Sequence, residues 1–275
     1  MKQTDFSWKT LKGASIHAVE WRPEASAKAV VALVHGVGEH SQRYEHMAEA
    51  FSKEGVAMVA FDLPGHGRSE GKRGHSSYVL VMVEIDRLIE EARARFPGAK
   101  VFLYGHSLGG AICLNYLIER RPSLAGALIG SPGLSPATPV PGLKMLLARI
   151  MAKIAPSFTL ANDLDAEGLS RDAAIVKKYR DDPLMHDMIS ARLGLDLIES
   201  GQRIIMRAAE ISLPLLLLQG SADRFVDPGA TERFAAASGK NVTFQRFEGA
   251  YHELHNEPDK QVLFRMELDW MALLN

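Results

Sequence analysis

Val101-Phe-Leu-Tyr-Gly-His-Ser-Leu-Gly-Gly110 decides how this chain folds. An apolar run ends at Tyr104, Gly105-His106-Ser107-Leu108-Gly109 follows, and a helical pattern containing Ile112, Tyr116 and Ile118 begins behind it. Strand, sharp turn and helix in that order lift a serine hydroxyl clear of a sheet edge and point it into an open pocket. Glycine is needed on both sides of the turn, because a side chain there would collide with the neighbouring strand and helix. The helix that starts at the serine leaves its first N–H groups free to face negative charge forming nearby.

The pattern Gly-x-Ser-x-Gly is weak by itself, and the chain holds a second copy, Gly67-Arg-Ser-Glu-Gly71. That copy follows Pro64-Gly65-His66 and runs into Lys72-Arg73-Gly74, with no strand before it and no helix after it. Ser69 therefore reads as an ordinary loop serine, and Ser107 as the nucleophile candidate.

Outward from Ser107 the same alternation repeats. Residues 5–21 read as two short strands around the turn at Lys12-Gly13. Ala29 to Val34 and Val56 to Phe61 are apolar without interruption, and helical spacing runs from Tyr44 to Lys53 between them. A helix over 76–95, a strand over 100–104, a helix over 108–119 and a strand over 126–129 follow. Strands apolar on both faces that alternate with helices predict a mostly parallel sheet covered on both sides, an α/β fold. At Ser131-Pro132 the alternation stops, and residues 133–210 are helical in pattern with no buried-strand run. It resumes with Leu213 to Gln219, a helix near 229–237, a strand from Val242 to Phe247 and a helix after Pro258. The expected organisation is a core over 1–132 and 211–275 with a helical cap inserted over 133–210. Such a cap covers the C-terminal edge of the sheet, where open α/β sheets bind ligands.

Composition narrows the function classes. The 275 residues are 47% hydrophobic and 24% charged, with a net charge of −1, which gives no basic surplus for nucleic acid. The single cysteine, Cys113, excludes an intrachain disulfide and reads as a buried apolar residue. Lys2, Asp5, Lys9 and Lys12 interrupt the N-terminal region, so no signal peptide is read there, and no apolar stretch has the length of a membrane span. A cytoplasmic location is expected. In the first part of 133–210, Leu143, Leu146, Leu147, Ile150 and Ile154 share one helical face, flanked by Lys144, Arg149 and Lys153. This face either packs on the domain below or touches lipid at a membrane surface.

A serine hydroxyl needs a base to remove its proton, and the base needs a carboxylate to orient it. In this architecture the acid and then the histidine follow the serine in the chain, each on a loop after a strand. Asp223 and His252 occupy those places. Asp227 stands before Pro228-Gly229 and reads as a helix N-cap, His255 is a second histidine that could line the site, and His106 reads as structural. The oxyanion hole would take the backbone N–H of Leu108 and one from His35-Gly36-Val37-Gly38, with Val37 the candidate. His35, His40 and His46 have no zinc-site spacing, so no metal is implied, and the chemistry requires no cofactor.

Taken together these residues resemble the α/β-hydrolase superfamily and, within it, the monoacylglycerol lipases. The resemblance runs through His35 to Tyr44, Phe61 to Gly71, Gly105 to Gly110, Leu169-Ser-Arg171 with Tyr179 and Asp182 to Leu184, Gln219 to Arg224 and Glu248 to Glu257. It implies Ser107, Asp223 and His252 as the triad. It also implies that Glu39, Arg43 and His255 lie near the polar end of the pocket, where a glycerol headgroup would be held. Two positions depart from the family: Leu108 replaces a methionine and acts through its backbone, and Phe225 stands where some animal members have cysteine. The implied substrate is a lipid monoester, hydrolysed to fatty acid and glycerol, with contact to a membrane surface through the cap and no protein partner. A broad carboxylesterase or lysophospholipase is the alternative.

Overall fold

The computed structural model describes residues 1–162 and 164–274. The chain begins with an antiparallel pair, β1 (Lys2–Lys9) and β2 (Ser15–Arg22). It continues through β3 (Ala29–Val34), α1 (Glu45–Lys53), β4 (Val56–Phe61), α2 (Tyr78–Arg95), β5 (Lys100–His106), α3 (Ser107–Arg120) and β6 (Gly126–Gly130). It then leaves the sheet for α4 (Gly142–Ile154), β7 (Thr159–Ala161), α5 (Ala173–Asp181), β8 (Met188–Ser190) and α6 (Ala191–Met206). It returns with β9 (Leu215–Gly220), α7 (Pro228–Ala237), β10 (Val242–Phe247) and α8 (Lys260–Leu273).

Eight strands form one sheet in the order β1-β2-β4-β3-β5-β6-β9-β10. β1 and β2 run antiparallel and the others are parallel. The uninterrupted apolar strands are explained by the two layers they feed. Val30, Ala32 and Val34 of β3 pack under α2, α3 and α7, while Ala29, Val31 and Leu33 pack under α1 and α8. A parallel strand thus buries both of its faces, and the period-2 signal of a half-exposed strand is lost.

All the loops of interest leave the same edge. His35 follows β3, Asp62 follows β4, Ser107 follows β5, Asp223 follows β9 and His252 follows β10. The segment between β6 and β9 lies over that edge. Its contacts to the core include the His186 N–H to the Gly38 carbonyl at 3.0 Å, the Ser190 N–H to the Gly74 carbonyl at 2.9 Å, and His40 Nε2 to Asp182 at 2.8 Å. Besides its helices it holds the antiparallel pair β7–β8, three residues per strand and mostly unburied.

α4 turns the opposite way from the packing expectation. Leu143, Leu146, Leu147, Ile150 and Ile154 are all exposed, with Leu143 at 71% and Ile154 at 72%. The side that faces the protein carries Met145, Ala148 and Ala152, of which Ala152 is buried. These small or flexible residues let the helix lie close against its neighbours, and Arg149 pairs with Glu199 of α6 at 2.9 Å. Farther along the chain Phe158, Leu160 and Leu164 are also exposed. Among the described residues, no helix is long and apolar enough to cross a membrane.

Candidate active site

Ser107 stands at the start of α3 with φ of 53°, a left-handed conformation that few side chains adopt. The packing around it explains the two glycines of the turn. A Cβ on Gly109 would lie 2.3 Å from the Val34 carbonyl oxygen, and one on Gly105 would lie 2.9 Å from the Gly109 carbonyl oxygen and Cys113 Sγ. Helix and strand therefore approach closely enough to force the strained serine, and the strain presents its hydroxyl. Ser69, the serine of the second Gly-x-Ser-x-Gly copy, is instead locked in its loop. Its Oγ donates to the Asp62 carbonyl at 2.6 Å and accepts the His17 N–H at 2.9 Å.

His252 Nε2 is 2.9 Å from Ser107 Oγ, and His252 Nδ1 is 2.7 Å from Asp223 Oδ2. The carboxylate can only accept, so Nδ1 carries the proton and Nε2 is left to accept from the serine. Asp223 is fixed in turn. Its Oδ1 accepts the N–H groups of Phe225 at 2.9 Å and Val226 at 3.1 Å, and its Oδ2 accepts from Gln219 Nε2 at 3.0 Å. Burial would raise the Asp223 pKa, but His252 and the two N–H groups outweigh it and hold the group below the usual range. Burial would lower His252, but Asp223, helped by Glu253 and Glu39, outweighs it and raises the imidazole above its ordinary value. That ordering suits a base that takes a proton from serine and holds it. Asp227 caps α7 through the Gly229 N–H at 2.9 Å and pairs with Arg233.

A cavity opens on Ser107, lined by Gly36, Val37, His106, Phe225 and His252 from the core and by Leu169 of the inserted segment, among others. It measures about 20 Å³, room for one water. The Val37 N–H donates to no other backbone group among the described residues. The Leu108 N–H lies in the first turn of α3, where helices leave such groups unpaired.

The three residues expected near the polar end stand in two layers. Glu39 lines the cavity, whereas Arg43 and His255 lie behind it. Glu39 Oε1 accepts the Gly36 N–H at 2.5 Å and the Tyr44 hydroxyl at 2.9 Å, and its Oε2 accepts from Arg43 at 2.7 Å. Arg43 also forks onto Glu253, at 2.6 and 2.8 Å. Burial would raise both carboxyl groups, but the Arg43 guanidinium outweighs it and keeps them ionised. His255 is 1% exposed, stacked on Tyr44 at 4.5 Å and edge-on to His106 at 4.8 Å. Burial and the neighbouring His106 push its pKa well down, so it is neutral. His106 lines the cavity and packs 4.8 Å from His252, and burial pushes it down to about 4. Sequence reasoning gave no site role to Glu253 and named Tyr179 only as part of the resemblance, and both also line the cavity. Glu253 is adjacent to His252 in the chain, a signal available in advance. Tyr179 belongs to α5, whose place over the site no local pattern reveals.

Among the described residues no three His, Cys, Asp or Glu side chains converge as a metal site would require.

Residues 25–259 match a family model described as Hydrolase_4, serine aminopeptidase, S33. An uncharacterised abhydrolase domain-containing protein of Dictyostelium discoideum is 34% identical over 91% of this chain, which spans only 27% of that protein's length. A monoacylglycerol lipase of Mycolicibacterium smegmatis is 32% identical over 98% of this chain and 97% of its own. The crystal structure of a monoacylglycerol lipase from Paleococcus ferrophilus superposes with a TM-score of 0.85 at 36% identity, covering 100% of both chains. The chain belongs to the α/β-hydrolase superfamily and, within it, to the monoacylglycerol lipase family.

Proposed function

We propose that the protein hydrolyses monoacylglycerols to fatty acid and glycerol by way of an acyl-serine. The observation that carries this reading is the hydrogen-bonded run Asp223–His252–Ser107 opening on a cavity at the sheet edge. Ser107 Oγ attacks the ester carbonyl carbon while His252 Nε2 takes its proton. The N–H groups of Val37 and Leu108 stabilise the oxyanion. The carbon–oxygen bond to glycerol breaks, and His252 returns the proton to the departing oxygen. Water then enters, and the same steps in reverse roles release the fatty acid and restore Ser107.

The substrate class is supported by the relatives named above and by the lining of the cavity. The lining combines the polar groups of Glu39, Glu253 and His106 with the apolar side chains of Leu164, Leu169 and Phe225. Every carboxylate oxygen of Glu39 and Glu253 already holds a donor from Gly36, Tyr44, Arg43 or Asn256. Glycerol hydroxyl groups can share such occupied oxygens, with Glu39 at the polar end and Arg43 and His255 supporting it from behind.

Residues 133–210 act as a cap. The exposed stripe of α4, with Lys144 and Lys153 beside it, supports docking of the cap on a lipid surface, where the substrate resides.

Glycerol release from monooleoylglycerol, compared with dioleoylglycerol, triolein and lysophosphatidylcholine, tests this, with Ser107→Ala as the blank. A strong preference for the monoacyl glyceride is expected. Equal rates on all four would reduce the protein to a broad esterase, and full activity in Ser107→Ala would remove the assignment of the nucleophile.

A further inference from the structure

We infer that Arg43 is a positioning residue: its guanidinium ties the oxyanion loop, through Glu39, to the loop that carries the base, through Glu253. This rests on the roles of Ser107, Asp223 and His252 proposed above.

The geometry is that of a clamp between parts of the chain far apart in sequence. Arg43 Nη1 donates to Glu39 Oε2 at 2.7 Å and to Glu253 Oε1 at 2.6 Å, while Nη2 donates to Glu253 Oε2 at 2.8 Å. Glu39 passes the constraint on. Its other oxygen holds the Gly36 N–H, in the peptide just before the one that bears the Val37 N–H. Glu253 passes it on covalently, being the residue after His252. One planar, permanently charged group therefore fixes the spacing between an oxyanion donor and the imidazole, for which the rigid fork of arginine is suited and lysine is not. All three side chains are nearly sealed, at 10% exposure or less, so water does not weaken the clamp. Arg43 itself does not line the cavity.

The inserted segment meets the same group. The Tyr179 ring of α5 lies over the guanidinium, 5.6 Å from its carbon, and the Glu253 N–H donates to the Leu169 carbonyl at 2.8 Å. Arg43 thus stands where oxyanion loop, base loop and inserted segment come together.

A second consequence is electrostatic. The charged or titratable groups that act on His252 are Asp223, Glu253, Glu39 and His106. Glu253 and Glu39 both favour its protonated form, and Arg43 is the cation that keeps these two carboxyl groups ionised.

The test uses the full chain with Arg43→Met, Arg43→Lys, Glu253→Gln and the double variant Arg43→Met/Glu253→Gln. kcat and KM for p-nitrophenyl butyrate are followed across pH, beside thermal melting. Arg43→Met is expected to lower kcat by roughly 10- to 100-fold with little change in KM. Its acid limb in kcat/KM moves to lower pH, because Glu39 and Glu253, buried without the guanidinium, take up protons and no longer support the His252 cation. Arg43→Lys returns the limb to its wild-type position but recovers only part of kcat. The double variant matches Arg43→Met in both limb and kcat, because Glu253 is already uncharged once the guanidinium is gone. A folded Arg43→Met protein with wild-type kcat and acid limb overturns the inference, as does a change confined to KM, which would make Arg43 a substrate contact. Should Arg43→Met fail to fold, Glu253→Gln decides: a lower kcat with the limb moved to lower pH supports the clamp, and an unchanged kcat overturns it. A wild-type protein whose Ser107 ignores a fluorophosphonate would overturn the reading of the site, and this inference with it; a reactive wild type leaves the variants to judge the clamp alone.

Discussion

His66, on the loop after β4, and His186, in the segment between β6 and β9, pack ring against ring with centroids 4.6 Å apart. His66 Nδ1 donates to the Pro64 carbonyl at 3.1 Å, and His186 Nδ1 accepts the Met188 N–H at 3.2 Å. Burial pushes His66 well below the ordinary histidine range, with His35 and His186 adding to it, and pushes His186 down to about 4, with Arg73 adding to it. The contact between inserted segment and core is therefore built for two neutral rings.

Acid should loosen it. Seven histidines have lowered values in the fold, and only His17 and His252 have raised ones. A lowered histidine leaves the unfolded chain binding more protons as pH falls below the ordinary value. Its contribution is complete above about pH 6.5 and is lost progressively toward the folded value. The two raised histidines act in the opposite sense and are outnumbered. The melting midpoint should fall by roughly 5–10 °C between pH 7 and pH 4.5, which differential scanning fluorimetry would measure. His186→Asn should make that slope shallower, and an unchanged slope would show that this pair does not contribute.

The two serines of the Gly-x-Ser-x-Gly copies should separate activity from stability. Ser107→Ala is expected to lower ester hydrolysis by about 10³-fold or more, with the melting midpoint nearly unchanged. Ser69→Ala removes two buried hydrogen bonds and should cost about 1–3 kcal/mol of stability, with kcat retained. Urea unfolding beside steady-state rates would show whether the effects cross as stated.

Asp223→Asn should lower kcat by about 10³- to 10⁴-fold at nearly constant KM, because an amide can present a donor to Nδ1 and favour the wrong imidazole tautomer. Without the Asp223 charge, the raised pKa of His252 loses its main support. The residual activity should therefore show an acid limb at lower pH than in the wild type. A limb that stays in place would assign the raised value to Glu39 and Glu253 instead.

Charges on the α4 stripe should affect lipid contact alone. Leu146 and Ile150 are 53% and 46% exposed, so Leu146→Glu/Ile150→Glu should leave the melting midpoint within about 2 °C of wild type. Co-sedimentation with phosphatidylglycerol vesicles should drop several-fold, and hydrolysis of dispersed monooleoylglycerol with it, while p-nitrophenyl butyrate is turned over normally. Undiminished vesicle binding would count against docking through this face.

Much of the core was legible because its signals are local. Uninterrupted apolar runs from Ala29 and Val56 identify two-faced strands, and the context of Ser107 separates it from Ser69. Chain order singles out Asp223 and His252, and the structure brings His252 into hydrogen-bonding reach of both Asp223 and Ser107. What stayed hidden depends on distant partners. The spacing of Leu143, Leu146, Leu147, Ile150 and Ile154 announces an apolar stripe but not whether it turns inward. β7 and β8 are too short to set up a period. Arg43 and Glu253 are 210 positions apart, and only the folded sheet edge shows that they meet.

The two faces of α4 have separate duties. Met145, Ala148 and Ala152 hold the helix in place, and the outward leucines and isoleucines take no part in that packing. The outward positions can therefore drift, or be redesigned, with little effect on folding. A library confined to residues 143, 146, 147, 150 and 154 would vary what this surface adheres to, at constant chemistry beneath.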